Sequence, residues 1–149
     1  MTKDLRVVVD TNVLVSGLFG IKNSPSSKIL HAFRNQRFIH VSSPQILWEV
    51  RDVISREKIV KLTRMTQKER IDFISRLIHR SDVTAGRQLS QIVSRDIKDD
   101  KFLACGIEGK ADYIVSGDDD LLGLKKFEGI RIVAPKEFVA LLEDGRKYT

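Results

Sequence analysis

Val7 to Gly17 reads VVVDTNVLVSG: three valines, then Asp10, Thr11 and Asn12, then a second apolar run that closes on glycine. An unbroken β-branched run, with no alternation of polar and apolar residues, is the pattern of a strand buried on both faces, as in a parallel sheet covered by helices. Asp10 comes at the end of that run. In an open parallel sheet the ligand crevice lies beyond the C-terminal ends of the strands. Asp10 therefore reads in two ways, as a helix cap or as an acid delivered to a site, and Thr11 and Asn12 read as a polar turn beside it.

Working outward, similar short runs recur at Phe38 to Val41, Asp82 to Thr84, Tyr113 to Val115 and Ile130 to Val133, with Leu5 to Val9 as the first strand. Helical patterns with start signals lie between them. Ser24-Pro25 precedes SSKILHAF, Ser43-Pro44 precedes QILWEVRDVI, and Thr66 with Glu69 forms a capping box before RIDFISRLI. Asp99 to Glu108 and Pro135 to Glu143 are further helices, whereas Gly86 to Ser94 has no sustained period and reads as loop. Strand and helix alternating in this way predict an α/β fold, a sandwich with helices on both sheet faces. At 149 residues and 42% hydrophobic, the chain suits one domain.

No apolar run approaches the roughly 20 residues of a bilayer span. The charged N-terminus lacks the marks of a signal peptide, and the single cysteine, Cys105, suits a reducing compartment, so a cytoplasmic location is expected. The net charge of +6 is unevenly placed. Arg51 to Arg87 holds ten basic residues against five acids, while Asp96 to Asp120 holds eight acids against three lysines. A basic region for a polyanion beside an acidic region for a cation is the electrostatic outline of a metal-dependent enzyme acting on nucleic acid; a solvated helical surface is the plainer alternative.

The fourth strand, in YIVSGDDD, also ends on acids, Asp118, Asp119 and Asp120, after Ser116. If the first and fourth strands are neighbours, Asp10 and Asp118 leave the sheet together. On the helix after Pro44, Glu49 borders the apolar stripe of Ile46, Leu47, Val50, Val53 and Ile54 and can reach inward. On the helix after Asp99, Asp100 stands at i+3, i+4 and i+7 spacing from Leu103, Ala104 and Ile107 and points the same way, whereas Asp99 or Asp96 would serve equally as macrodipole acids. Converging carboxylates repel one another unless a cation compensates them, and an all-oxygen set suits Mg²⁺ or Mn²⁺. His31, His40 and His79 have no metal spacing and read as surface or packing residues.

At these residues the chain resembles the PIN-domain nucleases, which include VapC-like toxins of toxin–antitoxin modules. The likeness rests on VVVDTNVLVSGLF, the Glu of SPQILWEVRDVI, DDKFLACG and ADYIVSGDDDLL, in the family's order across nearly the whole chain. It implies a three-layer α/β/α sandwich with a central parallel sheet in strand order 3-2-1-4-5. The family's acidic quartet falls on Asp10, Glu49, Asp100 and Asp118, which would hold one or two Mg²⁺ or Mn²⁺ ions for hydrolysis of RNA phosphodiester bonds. Ser116, Thr11 and Asn12 match the supporting polar residues, and neighbouring Asp99 or Asp120 can share or replace a ligand role. The departure from the family is Ile97, where a proline is frequent.

The basic residues of the helical region, Arg51, Arg56 and Lys58 among them, would grip RNA if they face the crevice; the resemblance further implies a homodimer and an antitoxin partner, which these residues would serve instead. Trp48 and Phe73 suit base stacking or, by their apolar spacing, a core or interface role. Two other classes stand against this reading. One is an inactive PIN-like RNA-binding or scaffold protein, which would be expected to have lost acids. The other is a Mg²⁺-dependent phosphatase or phospho-receiver domain, which needs a phosphorylated aspartate and a lysine near the crevice; DTN lacks the second acid that a phosphatase with an aspartyl nucleophile places two residues on.

Overall fold

The computed structural model describes residues 4–94 and 96–144. The first strand, β1 (Arg6–Val9), lies inside the sheet, paired in parallel with β2 (Ile39–Ser42) on one side and β4 (Tyr113–Val115) on the other. Val7, Val8 and Val9 are fully buried, which is why the run carries no polar residue. The sheet continues outward to β3 (Asp82–Val83) beyond β2 and to β6 (Ile130–Val133) beyond β4, both parallel. The expected order of five parallel strands is thus present, and helices flank both faces in a three-layer sandwich.

A sixth strand departs from that expectation. β5 (Lys126–Phe127) pairs antiparallel with β6 and forms the edge, giving the order β3-β2-β1-β4-β6-β5. The two residues joining them, Glu128 and Gly129, both have positive φ, at 49° and 82°. That is the backbone of a two-residue hairpin turn whose twist matches the strands. Glu is an unusual first residue for such a turn, so only Gly129 signals it in the sequence.

Asp10 does not begin a turn. It caps a helix, α1 (Thr11–Gly17), by accepting the Asn12 N–H on its side chain. Thr11 and Asn12 have weak helix propensity, but Val13, Leu14 and Val15 are buried, and tertiary packing overrides propensity here. The helices α2 (Pro25–Arg34), α3 (Pro44–Ile54) and α5 (Gln67–Arg80) start as predicted, on Ser24, Ser43 and the Thr66–Glu69 capping box. Between the last two lies α4 (Glu57–Thr63), a short exposed helix with no side-chain cap and no buried residue, hence no signal. After a 3-10 turn (Ile97–Asp99) come α6 (Asp100–Glu108), a four-residue α7 (Asp119–Leu122) and α8 (Pro135–Asp144). At the end of α6 the backbone passes so close to β2 that a Cβ on Gly109 would stand 2.3 Å from Val41. Only glycine lets α6 sit this low on the sheet.

Phe73 and Leu77 anchor α5 in the core, while Trp48 is 67% exposed on α3. Among the described residues no helix is long and apolar enough to cross a membrane.

His40 is the buried packing histidine of β2. Its Nδ1 lies 2.6 Å from Ser81 Oγ, its ring meets the Phe33 ring edge-on, and its Nε2 has no partner. Burial pushes its pKa down from 6.5 to about 4. The folded state thus resists a proton that the unfolded chain accepts. The stability due to neutral His40 is therefore complete above pH 6.5 and lost as the pH falls from 6.5 toward 4. At about 1.4 kcal/mol for each tenfold difference in proton affinity between the two states, the loss totals about 3 kcal/mol. Urea unfolding at pH 7 and pH 4.5 should show a steeper loss for the native chain than for His40→Gln; equal losses would contradict this account.

Candidate active site

Register places the first acids. Val9 is paired with Val115, so the next residues, Asp10 and Ser116, emerge side by side at the C-terminal edge of the sheet. The Asp10 N–H donates to the Val115 carbonyl at 2.9 Å, and Ser116 Oγ donates to Asp10 Oδ2 at 2.7 Å. Asp10 thus has one oxygen on Ser116 and the other capping α1. Helix cap and site acid are the same residue. Asp118 repeats the pattern: its N–H donates to Ser116 Oγ, and its Oδ1 caps α7 by accepting the Asp120 N–H at 2.7 Å.

Beside these acids stand Asp99, from the 3-10 turn, and Asp120. Carboxylate oxygens of Asp99, Asp118 and Asp120 all lie within 4.8 Å of one another, close enough to share one ion. Asp99 Oδ2 is buried without a hydrogen-bond partner. Such an atom is costly unless something outside the chain satisfies it. Burial, then the charges of Asp118, Asp96 and Asp10, pushes the Asp99 carboxyl up to about 6. Asp10 is raised too, chiefly by burial and further by Glu49 and Asp118, while its bonds from Ser116 and Asn12 pull the other way. A bound cation would relieve each of these repulsions. The donors are carboxylates; Cys105 is buried on α6, and burial pushes its thiol up to about 12, so it stays protonated. A hard divalent ion fits this oxygen set.

Glu49 faces the site from α3, its Oε1 accepting a bond from Thr11 Oγ1 and its Oε2 pairing with Lys101 Nζ at 2.8 Å. Asp100 does otherwise. It is buried as expected, but its two oxygens accept the N–H groups of Val93 and Ser94 at 2.9 and 2.7 Å, so it ties down a loop. The helical stripe used to single out Asp100 over Asp99 is blurred in the fold, because α6 is buried on most of its surface, from Phe102 through Gly106, while Ile107 is exposed.

Lys101 was not singled out by the sequence. Its ammonium also contacts the Lys98 carbonyl at 2.6 Å and lies 4.7 Å from the Phe102 ring centroid. A lysine inside an otherwise apolar helix, next to two acids, was the available signal. The expected RNA-gripping residues lie elsewhere: Arg51 lines a groove between α3 and α5, Arg56 pairs with Asp52 at 2.8 Å, and Lys58 is exposed on α4.

No curated protein matches the chain. Among solved structures, the crystal structure of VapBC2 from Rickettsia felis, bound to a DNA fragment from their promoter, has a similar fold. Its TM-score is 0.55 at 12% identity, covering 87% of this chain and 98% of the other. The PIN domain matches residues 6–120, from β1 through the acids after β4, and the chain belongs to the PIN-domain family of nucleases.

Proposed function

We propose that this protein is a metal-dependent endoribonuclease, the toxin of a toxin–antitoxin pair. The observation that carries the reading is the unpartnered Asp99 Oδ2 within a knot of carboxylates at the C-terminal edge of β1 and β4. Asp99, Asp118 and Asp120 would hold Mg²⁺ or Mn²⁺, with Asp10 adjoining. When bound, such an ion supplies charge to the phosphoryl oxygen and acidifies the attacking water. The chain's own groups then have distinct tasks. Asp10 is oriented by Ser116 and Asn12, which fix both its oxygens. Glu49, held by Thr11 and paired with Lys101, would take a proton from water, and Lys101 would meet a phosphate oxygen.

Incubating a structured RNA with the protein and Mg²⁺ or Mn²⁺, beside EDTA and Asp10→Asn controls, tests the activity; cleavage surviving either control would sink the assignment. Asp99→Asn and Asp100→Asn divide the two neighbours. Asp99→Asn should lower cleavage by about two orders of magnitude or more. Asp100→Asn should loosen the 93–94 loop, seen as faster amide exchange there, and cost much less activity. The reverse ranking would return the ligand role to Asp100. Lys101→Met should weaken RNA binding and reduce the slope of log affinity against log salt by about one, with Lys101→Arg restoring most of it.

The groove between α3 and α5 is where a homodimer contact is proposed. It measures about 660 Å³ and is walled by Leu47, Trp48, Ile71, Ile74 and Ile78, with Arg51 and Arg70 beside them. Ile71 is 60% exposed and Ile78 46%. Exposed apolar residues gathered this way suit a protein contact, and the occupant proposed is a second copy of the chain, the homodimer that the family resemblance implies. Ile71→Glu should turn a dimer into a folded monomer in sedimentation velocity. An unchanged sedimentation coefficient would move the contact elsewhere.

A further inference from the structure

Next to the acidic site, a cleft of about 390 Å³ opens between the start of α3, the start of α6 and the loop of residues 86–92. The two share their walls. On α3, Gln45 lines the cleft, and Glu49, one turn later on the same face, reaches the acids. On α6, Asp100, Ala104 and Cys105 line the cleft while Asp99 belongs to the acids. Lys101 serves both, lining the cleft and pairing with Glu49 at 2.8 Å.

The outer wall is built in place. Glu108 Oε1 accepts the Gly86 and Arg87 N–H groups at 3.0 and 2.9 Å, and Asp100 accepts those of Val93 and Ser94 at the other end. Gln45 Nε2 donates to the Gly86 carbonyl at 2.8 Å, holding the loop against α3. With both ends and one side tied, binding there costs little in ordering the loop.

The lining chemistry selects the ligand. Gln45, Gln88, Gln91 and Ser90 offer neutral donors and acceptors, and Leu89 and Ile92 offer apolar surface. Arg87 and Lys101 add two cations that suit a neighbouring phosphate. A phosphate alone would leave the amides and the apolar surface unused, and an aliphatic group would leave the amides unused. A flat heterocycle with a hydrogen-bonding edge uses both. The volume falls within the range of about 300–1,000 Å³ usual for small-molecule sites. Proteins read unpaired RNA bases in this way, through polar side chains on the base edge.

We propose that this cleft holds the unpaired nucleobase neighbouring the scissile phosphate, so that cleavage position is chosen by reading that base. The inference rests on the endoribonuclease reading of the acids. Lys101 stands at the boundary and binds the phosphate that links the two positions.

The test separates the two ideas by measuring binding where no cleavage occurs. In EDTA, AMP, GMP, CMP and UMP are titrated in turn against the isotope-labelled full chain, with ribose 5-phosphate as the base-free control, and the amide resonances of residues 86–92 are followed. Saturable shifts favouring one or two bases by about five-fold or more, and absent with ribose 5-phosphate, are expected. Gln88→Ala combined with Gln91→Ala, both exposed positions, should weaken that binding about five-fold and flatten the base preference beside the cut in the Mg²⁺-loaded protein. Equal shifts from ribose 5-phosphate, indifference to the base, or no shift would overturn the base pocket. Base-selective shifts in a protein that cuts no RNA would overturn the nuclease reading while keeping the cleft as a base site.

Discussion

The candidate site depends on one short chain of hydrogen bonds, from the Asp118 N–H to Ser116 Oγ and from Ser116 to Asp10 Oδ2. It joins the ends of two neighbouring strands and aligns the helices that follow each. Ser116 is fully buried and Asp10 nearly so, in a place where a charge is expensive without partners. The serine hydroxyl accepts from one side and donates to the other, so each bond polarises the next. Removing the hydroxyl would leave the Asp10 carboxylate with one partner, a loss of about 1.5 to 3 kcal/mol for a bond to a charged group.

This chain explains why the sheet must be parallel where it matters. Asp10 and Ser116 emerge together only because β1 and β4 run the same way and Val9 stands opposite Val115. A slip of one residue would turn every side chain to the other face and separate the pair. The buried valines on β1 resist such a slip. Stability and site geometry therefore rest on the same register.

Much of this was legible in VVVDTNVLVSG and its counterparts, because strand burial and helix capping leave periodic marks. The five parallel strands and the longer helices have start signals of their own. What was illegible has physical causes. The helix α1 opens on residues of weak propensity and is held by packing that only the fold reveals. The hairpin turn uses Glu128 where an Asn or Asp would have announced it, and α4 has no fully buried residue. At the site, Asp10, Glu49 and Asp118 could be singled out because each sits at an element end or a stripe border. Lys101 could not, because a lysine's reach is decided by what surrounds it.

The doublet Asp99-Asp100 is the sharpest case. Two adjacent acids at the junction of a 3-10 turn and a helix project in different directions, about 100° apart in a helix. One reaches the acids beyond β4, and the other reaches the loop behind. Asp100 has both oxygens filled by backbone donors, whereas Asp99 has an oxygen with none. Both oxygens of Asp10 are hydrogen-bonded too, and a carboxylate oxygen that accepts one N–H keeps a second lone pair, so filled oxygens alone do not bar a ligand role. What sets Asp99 apart is a buried oxygen with no partner among the described residues. The same pair borders both sites: Asp99 stands among the acids, and Asp100 lines the adjoining cleft and holds the 93–94 end of its loop, so a rotation at the start of α6 would displace both side chains.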